Sequence, residues 1–287
     1  MKKGFLLLLI ATFFWAGNYI AGRYLSDALP PTLLNTVRWG ISSILLWGLL
    51  IINKKPFPIF SRWREFLVLG FSGIFIFSTT TYMGLREISS SQAGMIVAGI
   101  PATILIFSFI LLKEKIKGRA WIGTVISIIG VVILIQGKAN VESFGNTIFG
   151  EILILISCVA WGLYTVLGRK YGKATDPLTL TAGAAVYGTI LSLISCIGTV
   201  EMNAVQMNGM AWLSLFYVST FASVVAYLAW NAGVKILGPG TAAPFINLLP
   251  IWTVILGVIV LNEGIKPITL LGGVITIIGA ILASFRK

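Results

Sequence analysis

The chain lacks histidine, and it has few charged side chains of either sign. Of its 287 residues, 10% are charged and 57% are hydrophobic, whereas a soluble globular domain carries about 25% charged residues. Too little polar surface remains for a soluble protein, so we predict an integral membrane protein. The two cysteines, Cys158 and Cys196, both fall in apolar runs. Without histidine, this argues against a zinc site, a Cys-His nucleophile or a structural disulfide, and we expect no cofactor.

Acidic residues are also scarce, and none of the nine lies near the middle of an apolar run. A proton-coupled exporter of quaternary cations needs a buried carboxylate that alternates between proton and drug, so this mode is disfavoured. A membrane-embedded enzyme needs convergent acids or a metal site, so we expect no enzyme. The net charge of +12 does not predict a nucleic-acid partner, because the basic residues lie in short connectors, which suits anionic lipid headgroups.

Ten apolar runs are long enough, at roughly 20 residues each, to cross the hydrocarbon core as helices. The first run follows a basic start, as in a secretory signal, but no A-x-A cleavage site follows it. We therefore expect it to be retained as span one. The predicted fold class is an all-α polytopic membrane protein with ten transmembrane helices. These spans lie near residues 5–25, 31–52, 66–85, 92–112, 119–136, 149–170, 178–198, 210–231, 242–261 and 267–285.

Lys and Arg are distributed unevenly between the connectors. If the N-terminus lies inside, the inner connectors hold sixteen of the 21 basic residues, and Arg38 lies within a span. The outer connectors then hold Arg23, Arg86, Lys138 and Lys266. By the positive-inside rule, both termini are predicted to be cytoplasmic in a multi-pass protein of the cell (inner or plasma) membrane.

The chain contains an internal repeat. FFWAGNYIAGRYL in the first run has the spacing W-x(6)-G-R, which recurs in CVAWGLYTVLGRKYG at an offset of 146 positions. LLKEKIKGRAWIGTVISIIGVVIL likewise matches VLNEGIKPITLLGGVITIIGAILA at an offset of 149. We predict a first repeat over residues 1–140, with spans one to five, and a second over residues 141–287, with spans six to ten. Because five is odd, the second repeat is predicted to be inverted.

Two inverted repeats can enclose a symmetric cavity that opens alternately to either side of the membrane. Such repeats also occur in channels, so the pattern indicates transport in general before it indicates a carrier. Glycines in spans five and ten recur every seven positions, which predicts close helix contact. They are Gly123, Gly130, Gly272 and Gly279.

Two patterns shared by the halves resemble a known family. They are W-x(6)-G-R in spans one and six, and P-x(12)-E…G-x(6)-G around spans four and five and around spans nine and ten. With ten spans in two repeats, the chain resembles the EamA-type family of the drug/metabolite transporter (DMT) superfamily over almost its whole length. The resemblance implies export or uptake of small metabolites, often amino acids or their derivatives, across the bacterial inner membrane. It does not identify the substrate.

Arg38 is the one charged residue well inside a predicted span. At about 1.5 Å per residue from Pro31, it lies roughly 10 Å from the outer end of span two. A charge at this depth needs water or a partner. One hypothesis is that Arg38 attracts a substrate carboxylate or another anion. The other is that its long side chain reaches the outer interface or internal carbonyls.

Pro101 and Pro250 lie near the middles of spans four and nine, at corresponding positions of the repeats. Proline removes a backbone hydrogen bond and clashes with the carbonyl four residues earlier, which belongs to Val97 or Ile246. The freed carbonyl can face a polar cavity, and the kink can serve as a gating hinge. The alternative is a static kink that fits the helix packing.

Aromatic and amide side chains in spans one, three, six, eight and nine are candidates to line a substrate cavity. They can bind a small zwitterion without a net charge in the wall, although Trp and Tyr also gather at membrane interfaces. For Asn247 the cavity is favoured, because an amide that faces lipid is costly. The candidates are Trp15, Asn18, Tyr19, Tyr82, Trp161, Tyr164, Tyr227, Trp230, Asn231 and Asn247.

We therefore predict a secondary transporter that works by alternating access, with spans one, three, four, six, eight and nine around a central cavity. Export of amino acids or related polar metabolites is the leading hypothesis. Uptake of a vitamin, a choline-like compound or a nucleobase is the alternative, and a channel or a signalling scaffold is a more distant one. The expected partners are a small-molecule substrate and membrane lipids. Both a monomer and a homodimer fit the sequence.

Overall fold

Every regular element in the described part of the chain is a helix, which confirms the predicted all-α class. The computed structural model describes residues 1–26, 28–88, 93, 96–136, 147–197, 205–261 and 267–284.

The first half of the described chain folds into helices that follow the predicted apolar runs. Helix α3 is not uniform: it runs as Trp63–Gly70, continues as a π-helical segment over Phe71–Ile76, and ends as Phe77–Glu87. The others are α1 (Lys2–Ser26), α2 (Pro31–Ile52), α4 (Ile100–Leu112) and α5 (Gly118–Gln136).

The second half of the described chain folds into five further helices, and α8 repeats the π-helical interruption of α3. Helix α8 runs as Gly209–Tyr217, has a π-helical segment over Val218–Val225, and ends as Ala226–Leu237. Helix α9 begins as Pro239–Ala242, tightens to a 3-10 segment over Ala243–Leu248, and ends as Leu249–Leu261. The others are α6 (Thr147–Tyr171), α7 (Pro177–Cys196) and α10 (Pro267–Ser284).

Eight helices in the described residues are long and apolar enough to cross a membrane: α2, α3 and α5 to α10. The chain is therefore a multi-pass membrane protein, and the count of ten spans stays a prediction. Span four differs from its prediction, because a turn at Ala98 and Gly99 interrupts it and α4 begins only at Ile100. Its 13 residues are fewer than the roughly 20 that a full crossing needs.

Local sequence signals explain where several helices begin. Pro31 and Pro177 occupy the first turns of α2 and α7, where the missing N–H has no intrahelical acceptor to lose. The Asp176 carboxylate caps α7 by accepting hydrogen bonds from the backbone N–H groups of Leu178 and Thr179. A carboxylate at this position also complements the positive end of the helix dipole.

Helices α5 and α10 pack closely through their glycines, as the sequence predicts. A Cβ added at Gly279 would lie 2.7 Å from the carbonyl oxygen of Gly123, and one added at Gly272 would lie 2.7 Å from that of Gly130. No larger residue fits at these contacts without moving a backbone. Small residues of this kind let membrane helices approach and gain van der Waals contact.

Basic connectors meet at one end of the bundle. There the first turn of α1 packs against Leu237 at the end of α8. Arg62, before α3, donates to the carbonyl of Tyr171 at the end of α6 at 3.4 Å. Arg169 near the end of α6 donates to the carbonyl of Lys235 on α8. We call this region the basic end, and it comprises residues 1–4, 53–64, 169–176 and 235–240.

Aromatic side chains fill the centre of the bundle. The bulkiest of the fully buried side chains are Trp39, Trp161, Trp230, Tyr164 and Tyr227, which come from α2, α6 and α8. A pure interfacial belt would leave such rings at the ends of the helices. Their burial in the middle instead brings candidate site residues together.

Candidate functional site

Arg38 is buried in the second turn of α2, with 4% of its surface exposed. Its Nε donates to the hydroxyl of Ser223 at 2.6 Å, and its Nη1 donates to the hydroxyl of Tyr82 at 2.7 Å. The guanidinium carbon lies 5.4 Å from the ring centroid of Trp39. The side chain therefore turns inward between α2, α3 and α8 and does not reach the membrane interface. No Asp or Glu in the described residues forms an ion pair with it.

The π-helical segment of α8 sets the position of this arginine. The Ser223 hydroxyl that accepts from Arg38 also donates to the carbonyl of Val218, five residues earlier, at 2.8 Å. The Ser42 hydroxyl, one turn after Arg38, donates to the carbonyl of Ser219 at 2.8 Å. Widened turns of this kind expose backbone carbonyls and often mark functional sites. Helix α2 is thus held against α8 by hydrogen bonds from Arg38 and from Ser42.

The central rings form an aromatic cluster, which we define as Trp15, Trp39, Trp161, Tyr164, Tyr227 and Trp230. The centroids of Trp15 and Trp161 are 5.0 Å apart, and those of Trp161 and Tyr227 are 5.3 Å apart, with edge-to-face geometry in both pairs. Trp39 contacts Tyr227 at 4.7 Å, and this contact connects the cluster to Arg38. The rings touch one another, so they close the centre of the bundle in this conformation.

Two polar atoms of the cluster donate to buried backbone carbonyls. Tyr227 donates to the carbonyl of Gly73, and the Trp15 indole donates to that of Ala222, each at 3.0 Å. Both carbonyls belong to the π-helical segments. In contrast, the buried indole nitrogens of Trp39 and Trp161 have no hydrogen-bond partner in the described residues. A buried donor without a partner is costly.

A second polar group lies on the other side of the cluster. The amide nitrogen of Asn231 donates to the hydroxyl of Tyr164 at 2.8 Å and to that of Thr181 at 2.9 Å. Trp230, one residue earlier, donates to the hydroxyl of Thr165 at 3.2 Å. Amides and hydroxyls from α6, α7 and α8 therefore border the cluster towards the basic end, whereas Arg38 borders it on the opposite side.

A family model described as the EamA-like transporter family matches residues 2–136 and 148–285. The chain belongs to this family. An uncharacterized transporter of Archaeoglobus fulgidus is 29% identical over 100% of this chain and 99% of its own length. The uncharacterized transporter YyaM of Bacillus subtilis is 27% identical over 98% of this chain and 93% of its own length. The uncharacterized inner membrane transporter YedA of Escherichia coli is 26% identical over 95% of this chain and 88% of its own length.

A crystal structure with 19% sequence identity has the same fold, with a TM-score of 0.82 over 99% of this chain and 97% of that one. The protein is thus a membrane transporter of the EamA-like family and not an enzyme. In the described residues of this EamA-family transporter, no group of three or more His, Cys, Asp or Glu side chains could hold a metal ion.

Some of the predicted site residues lie away from Arg38 and the aromatic cluster. Asn247 lies in the 3-10 segment of α9 and donates to the hydroxyl of Ser127 on α5 at 3.0 Å, so it joins α9 to α5. Its side-chain oxygen is buried without a partner in the described residues, as is that of Asn18 on α1. The side chain of Tyr19 lies outside the described residues.

Each proline follows an interruption of α-helical geometry, at the start of α4 for Pro101 and inside α9 for Pro250. Pro101 is the second residue of α4, and Pro250 is the second residue of Leu249–Leu261. In the first turn of a helix, proline costs no intrahelical hydrogen bond, because the N–H that it lacks has no partner there. The preceding turn at residues 98–99 and the 3-10 segment of α9 already break the helices. A hinge role for the prolines stays a prediction, now located at these two breaks.

Three features of the site were missed in the sequence. Trp39 follows Arg38 directly, and its position next to a buried charge could have indicated it. Asn35, one turn before Arg38, is fully buried and donates to the carbonyl of Ile74 at 3.2 Å. The π-helical segments FSGIFI and VSTFASVV share small and polar residues, but no period in the sequence distinguishes a π turn from an α turn.

Proposed function

We propose that this transporter is a carrier for small metabolites that bear a carboxylate, with amino acids and related zwitterions as the leading substrates and export as the direction. The single observation that supports this proposal most strongly is Arg38. A guanidinium stays charged in proteins, and burying it without a counter-ion is unfavourable. A substrate carboxylate would supply the missing charge and would accept two parallel hydrogen bonds from the planar guanidinium.

The aromatic cluster suits the rest of a zwitterionic substrate. Indole and phenol rings attract an ammonium group through their faces, and they also pack against apolar side chains. The unpartnered indole N–H groups of Trp39 and Trp161 add donors for an acceptor-rich ligand. Because the rings now contact each other, a substrate enters only if they separate. This requirement agrees with a carrier that changes conformation in each cycle.

The two-repeat architecture is also part of the proposal: residues 1–140 and 141–287 form inverted halves with ten spans, and they exchange roles during alternating access. The two separate matches to the family support it. The π-helical segments at corresponding places in α3 and α8 support it as well. The breaks before Pro101 and Pro250 add a third pair of matching features.

The proposed orientation has both termini in the cytoplasm and the basic end at the inner face of the cell membrane. The gathering of the basic connectors at one end of the bundle supports this orientation through the positive-inside rule. Arg38 then lies towards the outer face. Anionic lipid headgroups are the proposed lipid partners of the basic end.

One alternative substrate has a specific observation in its favour. The aromatic cluster by itself fits a choline-like cation, since quaternary ammonium groups bind between aromatic faces. Choline and glycine betaine share this group, but only glycine betaine carries a carboxylate. A carrier that uses Arg38 is expected to prefer glycine betaine, whereas one that uses the rings alone is expected to prefer choline.

The test is counterflow in proteoliposomes with matched pairs of compounds: an amino acid and the amine that lacks its carboxylate, and glycine betaine and choline. We expect Arg38→Gln to lower the apparent affinity for the carboxylate-bearing member roughly tenfold to a hundredfold, as for the loss of hydrogen bonds to a charged group. Arg38→Lys should retain part of it. The control is Arg64→Gln, which changes an exposed arginine before the membrane core. Equal loss for both members of a pair would refute a carboxylate role for Arg38.

A further inference from the structure

A small cavity lies at the basic end, between the ends of α6 and α8 and the start of α7. Its polar wall comes from Arg169, Thr175, Asn231 and Lys235. The cavity leaves about 10 Å³ for the centre of a water-sized group. This is space for about one water molecule, so a carboxylate enters only as the surrounding helix ends move apart.

The two cations of this cavity are held by neutral partners. Arg169 donates from Nη1 to the backbone carbonyl of Lys235, and Lys235 donates from Nζ to the backbone carbonyl of Thr175 at 2.8 Å. The residues that line the cavity include no Asp or Glu. The neighbouring acid Asp176 uses its carboxylate to cap α7. Two positive charges thus share one small cavity whose described wall supplies no counter-ion.

Thr175 gives an independent sign of a missing ligand. It is 8% exposed, it lies in the wall of the cavity, and its hydroxyl has no hydrogen-bond partner in the described residues. Buried hydroxyl groups are normally partnered, so an orphan beside two cations needs an explanation. A bound group that accepts hydrogen bonds would satisfy the hydroxyl and both cations together.

We infer that this cavity is a second anion site, which receives the carboxylate of a metabolite at the predicted cytoplasmic mouth of the carrier. The inference rests on the proposed transport of carboxylate-bearing metabolites. A carboxylate accepts stronger hydrogen bonds from Arg and Lys than a backbone carbonyl does. It therefore replaces the carbonyls of Lys235 and Thr175 as the acceptor, and the Thr175 hydroxyl donates to it.

The same hydrogen bonds close the mouth, which couples the site to opening. Arg169 and Lys235 tie the end of α6, the end of α8 and the connection at Thr175 to one another. When a carboxylate accepts the hydrogen bonds of Arg169 and Lys235, their bonds to the backbone carbonyls are released and the helix ends can separate. Asn231 lines the cavity and also donates to Tyr164 of the aromatic cluster, so the opened mouth leads towards the central rings.

The test measures acetate binding to the full-length protein in nanodiscs of neutral phosphatidylcholine, through the unfolding temperature. Ethylammonium at equal ionic strength is the control compound. Arg38→Gln serves as the background, because it removes the other proposed anion site. Arg169→Gln and Lys235→Gln are added singly, and Lys173→Gln, which changes an exposed lysine on the same connection, is the matched control. Arg169→Lys keeps the positive charge. If it retains binding, the loss in Arg169→Gln is due to the missing charge and not to a change of residue at this position.

We expect acetate to raise the unfolding temperature of the Arg38→Gln protein, since a ligand of the folded state stabilises it. The apparent affinity for acetate should fall about tenfold in Arg169→Gln and in Lys235→Gln, as for the loss of one hydrogen bond to a charged group. Lys173→Gln and Arg169→Lys should retain it. The same acetate affinity in every variant, or no acetate effect in the Arg38→Gln background, overturns the inference.

A lipid headgroup could supply the same anionic chemistry, and a second arm separates the two sources. If phosphatidylglycerol raises the unfolding temperature through Arg169 and acetate then adds nothing, the occupant is a lipid and the metabolite site is overturned. Failure of the proposed function is distinguishable from both results. If the proposed function is wrong, Arg38→Gln leaves substrate flux unchanged. Acetate binding at the basic end is measured without flux and is therefore a separate result.

Discussion

Ser127 on α5 donates a hydrogen bond from its hydroxyl to the backbone carbonyl of Thr276 on α10 at 3.2 Å, and the two residues are 149 positions apart. This separation equals the offset that aligns the second parts of the two repeats. A residue contacts its own repeat mate only if both lie close to the axis that relates the halves. Gly123 and Gly130 meet Gly279 and Gly272 in the same symmetric manner. We therefore expect the proposed two-fold axis to pass between α5 and α10.

The contact between α5 and α10 predicts a strong effect of added volume. A Cβ at Gly279 would collide with the backbone nitrogen of Ser127, so Gly279→Val forces the helices apart. We expect a loss of about 1–3 kcal/mol in the free energy of unfolding, as for overpacked cores, measured by thermal unfolding in detergent. Gly48→Val is the control, because a Cβ at Gly48 meets nothing within 4 Å. Equal stability of the two variants would contradict the close packing.

Ser223 is expected to act on transport through Arg38. Ser223→Ala removes the acceptor of the Arg38 Nε–H and leaves the guanidinium less well oriented. We expect KM for a carboxylate-bearing substrate to rise about tenfold, the effect of one hydrogen bond to a charged group, with a smaller change in kcat. The measurement is the concentration dependence of counterflow. Ser61→Ala, at an exposed serine, should leave both constants unchanged. A fall in kcat alone would instead assign Ser223 to the conformational change.

Trp39→Phe tests the unpartnered indole of the aromatic cluster. Phenylalanine keeps a ring against Tyr227 but removes the N–H that has no partner in the described residues. If that N–H binds substrate, KM rises about threefold to tenfold, as for a neutral hydrogen bond. Trp230→Phe is the matched control, because its indole already donates to Thr165. We expect Trp230→Phe to lower the unfolding temperature and to leave KM nearly unchanged. Unchanged KM in Trp39→Phe would exclude this indole from binding.

The helices and the class of the protein were predictable from the sequence because their causes are local. Long apolar runs must form helices in a bilayer, where every backbone group needs an internal partner. Glycines spaced by seven positions lie on one helix face, so a close helix contact was predictable, but not that α5 and α10 make it with each other. Arg38 was recognisable as a candidate since a single charge in an apolar run is conspicuous.

The partners of these residues were not predictable, because they depend on how each helix is rotated about its axis and on which helices are neighbours. Asn247 shows this: its type favoured a cavity, and only the packing of α9 against α5 identifies Ser127 as its hydrogen-bond partner. Pro101 shows a second limit. Because α4 begins only at Ile100, Pro101 lies in the first turn, where it removes no intrahelical hydrogen bond.

By itself, the sequence determined an all-helical membrane protein with a repeated plan and one charge at depth, through hydrophobicity and residue order along the chain. Only the tertiary structure decided that Arg38 meets Ser223 and Tyr82, that the aromatic rings close on one another, and that Arg169 and Lys235 share a cavity. These contacts join residues from different helices, and their distances follow from packing in three dimensions and not from spacing along the chain.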